Sequence, residues 1–211
     1  MSKLTMSIHR ALGELKTYDD RISRATEQDF VLANKKSNDK IKGKTIEETK
    51  QQIKGGFASF YALTENQRRI KAAVVLSNAA TKVQIGGKEY TVAEAIERKA
   101  KIHHEETFLL ILKRQFKTQN EIVEDENDLL PSKLESYLQS ILGEKDKRTP
   151  DDIASHTKAF EERNKYELLD PSDISTQIKQ LEEQVTNFKT EVDYILSESN
   201  ATTFVEVELV D

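Results

Sequence analysis

Two segments at opposite ends of this 211-residue chain repeat apolar residues at alternating spacings of four and three. These positions are Leu4, Ile8, Ala11, Leu15, Tyr18, Ile22 and Ala25 in the first segment, and Ile174, Ile178, Leu181, Val185, Phe188, Val192 and Ile195 in the last. Such a heptad pattern is typical of helices that pack along a narrow seam against a partner helix. We therefore predict long antiparallel, coiled-coil-like helices, whose seams pair within the chain and with further copies of it.

Composition supports helices and narrows the range of partners. Only 36% of the residues are hydrophobic, 33% are charged, and glycine and proline number 7 and 3, which favours amphipathic helices with wide solvated faces. The formal net charge of −5 makes nucleic acid an unexpected partner for the whole domain. The absence of cysteine excludes disulfides and thiolate metal sites. Because no apolar run reaches the length of a signal-peptide core or a membrane span, we expect a cytoplasmic protein with no membrane partner.

Capping signals set the helix boundaries. Thr45 and Thr91 are each followed three residues later by glutamate, which is the capping-box pattern, and residues 149–152 and 170–173 each combine a cap with a proline and an acid. The acidic stretch 124–128 is predicted to be a loop. We predict a single elongated helical domain over residues 1–211, with helices at about 4–26, 46–77, 92–123, 132–142, 150–164 and 172–197.

Two segments carry strand patterns. Residues 82–92 alternate around Gly86-Gly87, which predicts a β-hairpin, and residues 203–210 alternate as a C-terminal strand. The pattern Asn-Ala-x-Thr precedes both, at 78–81 and 200–203. We therefore predict a small antiparallel sheet formed by the hairpin 82–92 plus the C-terminal strand 203–210, in a fold that is otherwise mainly α.

Two connections leave alternatives open. Residues 30–32 fit either a short strand or a hydrophobic loop. The basic segment 35–44 could contact an anionic partner, although such loops are more often simply solvated.

Several of these features carry a family resemblance: the N-terminal heptad helix, Asn78–Thr81 before the hairpin, Ile85–Ile96, and the closing Ser199–Thr203. On these features the chain resembles the septicolysin-like family of small helical proteins from bacteria and phages. The resemblance implies a helical oligomer and carries over no catalytic residues. The family name implies a cytolysin, yet the sequence has no export signal and no membrane-active segment. The Lys-, Glu- and Asn-rich composition also looks like that of phage proteins.

Cationic side chains on the second and third helices are the main candidates for a binding site. They are Arg68, Arg69 and Lys71 on the second helix and Arg98, Lys99 and Lys101 on the third. If they lie together near the hairpin, they could line an anion pocket, because the guanidinium fork donates paired hydrogen bonds to phosphate. The alternative is a solvated helix face with ion pairs inside each helix.

The histidine pair His103 and His104 is the candidate for metal chemistry, since His103 and Glu106 share one helix face. A metal site needs further ligands, so we expect neither a metal nor another cofactor and include both histidines among the ligand-binding candidates.

No catalytic motif is present, so we expect a non-catalytic protein. The first hypothesis is a homo-oligomeric binding protein, phage- or prophage-encoded, that sequesters a small anionic nucleotide-like ligand such as an immune signal. The second is a phage structural, assembly or scaffold protein that works through coiled-coil interfaces. A metal-dependent hydrolase using His103, His104 and Glu106 is the weakest of the three.

Overall fold

The computed structural model describes residues 2–210, so the two outermost residues of the predicted domain lie outside the described residues. Most of the described chain is α-helical, and its strands form small antiparallel two-stranded sheets, which confirms a mainly α fold. In chain order the elements are β1 (Ser2–Ser7), α1 (Ile8–Thr26), β2 (Lys40–Ile41), β3 (Lys44–Thr45), α2 (Ile46–Ala80), β4 (Lys82–Ile85), β5 (Lys88–Thr91), α3 (Val92–Asp128), α4 (Leu130–Leu142), a 3-10 turn (Lys145–Lys147), α5 (Pro150–Asn164), α6 (Ile174–Thr202) and β6 (Phe204–Leu209). Among the described residues, no helix has the length and apolar character needed to cross a bilayer.

The chain divides into two compact units. The first comprises the residues up to Ala100 and those from Asn187 onward, and the second is Lys101–Thr186. A compact unit is a cluster of contacts and need not fold alone, so one domain over the whole chain stays a prediction.

The core of the first unit lies where α1, α2 and the β1–β6 sheet meet. Its buried residues are Met6, Ile8, Ala11, Tyr18, Ile70, Val74, Val205 and Val207. The seam of α1 therefore packs against α2 and β6, and among the described residues this cluster includes none from α6. We predicted that the α1 seam would pair with the α6 seam. Among the described residues, the α1 seam instead packs against α2, the next helix in the sequence.

The α6 seam is also buried within the chain. In the first unit Phe188 meets the Tyr90 ring edge-on at 5.8 Å, and Lys99 of α3 pairs with Asp193. In the second unit Lys113 of α3 pairs with Glu182 at 2.5 Å, next to the buried Val185. The helix beside α6 is therefore α3 in each unit.

The C-terminal strand is confirmed, but its partner is not the hairpin. β6 pairs antiparallel with β1, with Met6 opposite Val205, while β4 and β5 pair only with each other in the described chain. The shared Asn-Ala-x-Thr pattern instead marks two similar helix exits, in which Thr81 N donates to Ser77 O and Thr203 N donates to Ser199 O, at 2.8 and 2.9 Å.

The first helix begins at Ile8 and not at Leu4. Residues 2–7 form β1, in which polar and apolar side chains alternate from Lys3 to Ser7, and the Ser7 hydroxyl then caps α1 by accepting from Arg10 N at 3.2 Å. Leu4 fits both the heptad and the strand alternation, and pairing with β6 decides between them.

Other boundaries also move. The predicted loop at 124–128 is wrong: α3 continues to Asp128, where Glu126 pairs with Lys133 at 2.6 Å and Asn127 bonds the backbone of Tyr166. α2 and α6 extend to Ala80 and Thr202, and α6 starts at Ile174. Residues 30–32 form a loop without a strand. The basic segment 35–44 includes β2 and the first residue of β3, which form a short hairpin with two residues in each strand.

Candidate functional site

The inner face of helix α2 packs into the core of the first unit. A capping box starts the helix, because the Thr45 hydroxyl accepts from Glu48 N at 3.3 Å and the Glu48 carboxylate accepts from Thr45 N at 2.8 Å. Ile70 and Val74 are buried against α1 and β6, and Leu63 packs beside them. This face fixes the rotation of α2, so residues half a turn away must face outward.

The opposite side of α2 carries a second heptad-like stripe. Its members are spaced alternately by three and four residues, and we call them the outer α2 face: Ala58, Tyr61, Glu65, Arg68, Ala72, Val75 and Ala79. All are exposed except Glu65, which is half-buried. Tyr61 is 65% exposed and Val75 57%, and Leu76, which flanks the stripe, is 71% exposed. Two large side chains of the stripe, Tyr61 and Val75, therefore lie in solvent two heptads apart, on a helix that is already anchored on its other side.

The centre of this face is an ion-pair cluster. Arg68 donates from Nε and Nη2 to the two carboxylate oxygens of Glu65, at 2.8 and 2.7 Å. Arg69 donates from Nε to the same carboxylate at 2.7 Å and from Nη1 to the Glu208 carbonyl of β6 at 2.9 Å. Arg69 thereby ties α2 to the sheet, whereas the Arg68 side chain stays 70% exposed.

Hydrogen bonds from the two arginines, of which Arg68 has the larger effect and Arg69 the smaller, lower the pKa of Glu65 to about 2. The same contact raises the pKa of Arg68. The cluster therefore remains fully charged over the physiological range, and its two guanidinium groups share one carboxylate. One positive charge is left over for another anion or for a second carboxylate.

The structure brings together some predicted binding residues and not others. Arg68 and Arg69 meet at Glu65, which is the intrahelical pairing that was the alternative to an anion pocket, and Lys71 is exposed nearby on α2. Arg98 instead lies 4.3 Å from the Phe188 ring centre and donates to the Tyr90 hydroxyl. A ligand role for these cations stays a prediction.

Lys101, His103 and His104 belong to the second unit. All three are exposed on α3, and the two imidazole rings are 4.0 Å apart. In the part of the chain that the structure describes, no three histidine, aspartate or glutamate side chains converge as metal ligands. Among the described residues, His103 and Glu106 therefore have no third candidate ligand beside them.

Glu65 is the residue that sequence reasoning missed. Its signal was present, because an acid three and four residues before two arginines is the spacing of intrahelical ion pairs. The outer α2 face was missed as well, since its alanines and its central ion pair do not stand out in a search for apolar residues.

Comparison with known proteins finds no matching family model, no matching curated protein and no matching solved structure. The resemblance to the septicolysin-like family stays a prediction, and function has to be argued from the geometry itself.

Proposed function

We propose that this protein is a non-catalytic homo-oligomer whose role is assembly: a structural or scaffold protein that works through helix–helix interfaces. The observation that carries the proposal is the outer α2 face. Its heptad spacing is that of a packing seam. The α2 residues that pack against α1 and β6 lie on the other side of the helix.

Burial of this face would supply a driving force. Covering a valine or leucine side chain contributes roughly 1.5–3 kcal/mol, and Val75 and Leu76 are both more than half exposed. The central ion pair supplies specificity, because a charged pair inside a seam tolerates few alignments. We further propose a cytoplasmic, phage- or prophage-encoded protein in a bacterial host, on the basis of its composition.

Light scattering after size exclusion tests the assembly role. The wild-type chain should elute at a multiple of its 24.1 kDa mass. Val75→Asp should shift it toward the monomer, because a carboxylate would be desolvated in the seam. Ser59→Asp is the matched control, because Ser59 is exposed on the same helix but lies about 100° round the helix from Ala58, outside the outer α2 face, and it should behave as wild type. A wild-type chain that stays monomeric at every concentration contradicts the proposal.

A second candidate function is sequestration of a small anionic, nucleotide-like ligand. The observation in its favour is the surplus positive charge where Arg68 and Arg69 share Glu65, with Lys71 exposed nearby. Calorimetry against a panel of nucleotides and cyclic nucleotides tests it, with Arg68→Ala and Arg69→Ala as controls. Binding that both variants weaken supports this function, and no heat of binding from any nucleotide contradicts it.

A further inference from the structure

The outer α2 face is complementary to itself when one copy is turned end to end. We propose that α2 packs antiparallel against α2 of a second copy, about a two-fold axis between Asn66 and Gln67. Glu65 then faces the partner's Arg68, and Arg68 faces the partner's Glu65. This inference rests on the proposed assembly role and specifies its partner, helix and alignment.

The heptad positions fit this arrangement. With spacings of three and four, Ala58, Glu65 and Ala72 occupy one core position of the heptad, and Tyr61, Arg68 and Val75 occupy the other. In an antiparallel pair, each core layer combines one residue of each kind. Once Glu65 is placed opposite the partner's Arg68, the heptad spacing fixes which residues face each other in the neighbouring layers.

Those neighbouring layers match large residues with small ones. Tyr61 faces the partner's Ala72, and Ala58 faces the partner's Val75. Facing positions that alternate in size fill the space between two helices without voids or clashes. Tyr61 and Val75 therefore each lie opposite an alanine of the partner, which leaves room for their side chains in the seam.

Charge excludes the competing arrangements. In a parallel pair in register, Glu65 would face the partner's Glu65 and Arg68 the partner's Arg68, so like charges would meet in two adjacent layers. An antiparallel pair shifted by one heptad would place Glu65 opposite the partner's Tyr61 or Val75 and would desolvate the carboxylate without a cation across the seam. Only the centred antiparallel alignment gives each charge an opposite charge on the partner.

The bonds already present leave capacity for the new ones. The contact of Arg68 with its own Glu65 uses Nε and Nη2, and a guanidinium carries five N–H donors. Nη1 of Arg68 can therefore donate to the partner's Glu65 while Arg69 keeps its bond to Glu65 on the same chain. The result is a ring of alternating charges at the axis.

Disulfide trapping tests the alignment directly, because the natural chain has no cysteine. The double variant Ala58→Cys/Val75→Cys should give a covalent dimer under mild oxidation. The two cysteines cannot bond within one chain, since they are 17 positions apart on one helix, a distance of about 25 Å. The single variants Ala58→Cys and Val75→Cys are the matched controls and should stay uncrosslinked, whereas a parallel pair would crosslink both.

Charge exchange gives a second readout. Glu65→Arg and Arg68→Glu should each weaken self-association by about tenfold or more, because each creates like-charge layers. An equimolar mixture of the two should associate again, since the arginines of one chain then face the glutamates of the other. Circular dichroism checks that both variants keep their helix content.

The outcomes separate the two proposals. A wild-type dimer with crosslinking only in the double cysteine variant supports the antiparallel pair. An oligomer in which the double variant does not crosslink, or in which the single variants do, overturns this alignment and leaves the assembly role standing. A chain that is monomeric at every concentration overturns both.

Discussion

Asn66 is a buried amide of α2 that serves as a hydrogen-bonding partner for the end of β6. Its Nδ2 donates to the Val210 carbonyl at 2.9 Å, and its Oδ1 accepts from Val210 N at 2.7 Å. The side chain is 7% exposed, so water cannot easily replace either bond. One residue therefore joins the helix that carries the outer α2 face to the sheet formed by the two ends of the chain.

Replacing this amide should be costly. Asn66→Ala leaves the backbone N–H and C=O of the half-buried Val210 without their side-chain partner, and we expect it to lower the free energy of unfolding by about 1–3 kcal/mol. Asn38→Ala, at an exposed asparagine bonded to Asn34 at 3.4 Å, should change it by less than about 0.5 kcal/mol. Urea unfolding measures both, and equal effects for the two variants would contradict this role of Asn66.

Glu65 should make stability depend on pH in acid. Its pKa is about 2 in the folded chain, against an ordinary value of 4.5, so folding favours the ionised form. The resulting stabilisation is fully present above about pH 4.5 and is lost as the pH falls toward 2. The difference in unfolding free energy between wild type and Glu65→Gln should therefore be largest above pH 4.5 and shrink toward pH 2. An NMR titration of Glu65 with a midpoint near 4.5 would contradict this.

At the scale of single elements, the β4–β5 turn shows how a local motif is tied to a helix. Gly86 and Gly87 both have positive φ, at 59° and 74°. Gly86 N also donates to Glu191 of α6 at 2.6 Å, and a Cβ on Gly86 would lie 3.3 Å from Asn187 Cβ. A Cβ on Gly87 would meet nothing within 4 Å.

The two glycines should therefore respond differently to alanine. Both substitutions place a side chain in the left-handed region, which costs roughly 1–2 kcal/mol. Gly86→Ala should lower the free energy of unfolding further than Gly87→Ala, because its methyl group also crowds α6. Thermal or urea unfolding of the pair measures the difference, and a larger loss in Gly87→Ala would show that the hairpin does not depend on its contact with α6.

The elements that the sequence predicted well are those with local causes. The capping boxes at Thr45 and Thr91 both form, with Thr91 N donating to Glu94 at 2.7 Å. The predicted turn also forms at Gly86 and Gly87, both of which have positive φ. The errors lie where a distant partner decides the structure. Leu4 fits a helix and a strand equally well until β6 pairs with it, and nothing within residues 203–210 says which strand will be its neighbour.

At the scale of the whole molecule, the argument for self-association moves to a different helix. The seams at the two ends of the sequence suggested contacts between copies, but their residues, such as Tyr18 and Phe188, are buried within the chain. The proposed contact between copies instead uses the outer α2 face, which is exposed. It could not be read from the sequence, because two faces of α2 carry apolar residues and only the packing of Ile70 and Val74 shows which one is used.

Distances between spin labels on α2 test the antiparallel pair most directly. Labels are attached at Gln51→Cys and, separately, at Lys71→Cys, both at exposed positions. With the axis between Asn66 and Gln67 and a rise of 1.5 Å per residue, labels at position 51 should lie about 46 Å apart along the axis, and labels at position 71 about 14 Å. One long and one short distance is the predicted result. Equal short distances at both positions, or no dipolar coupling at either, would contradict the account.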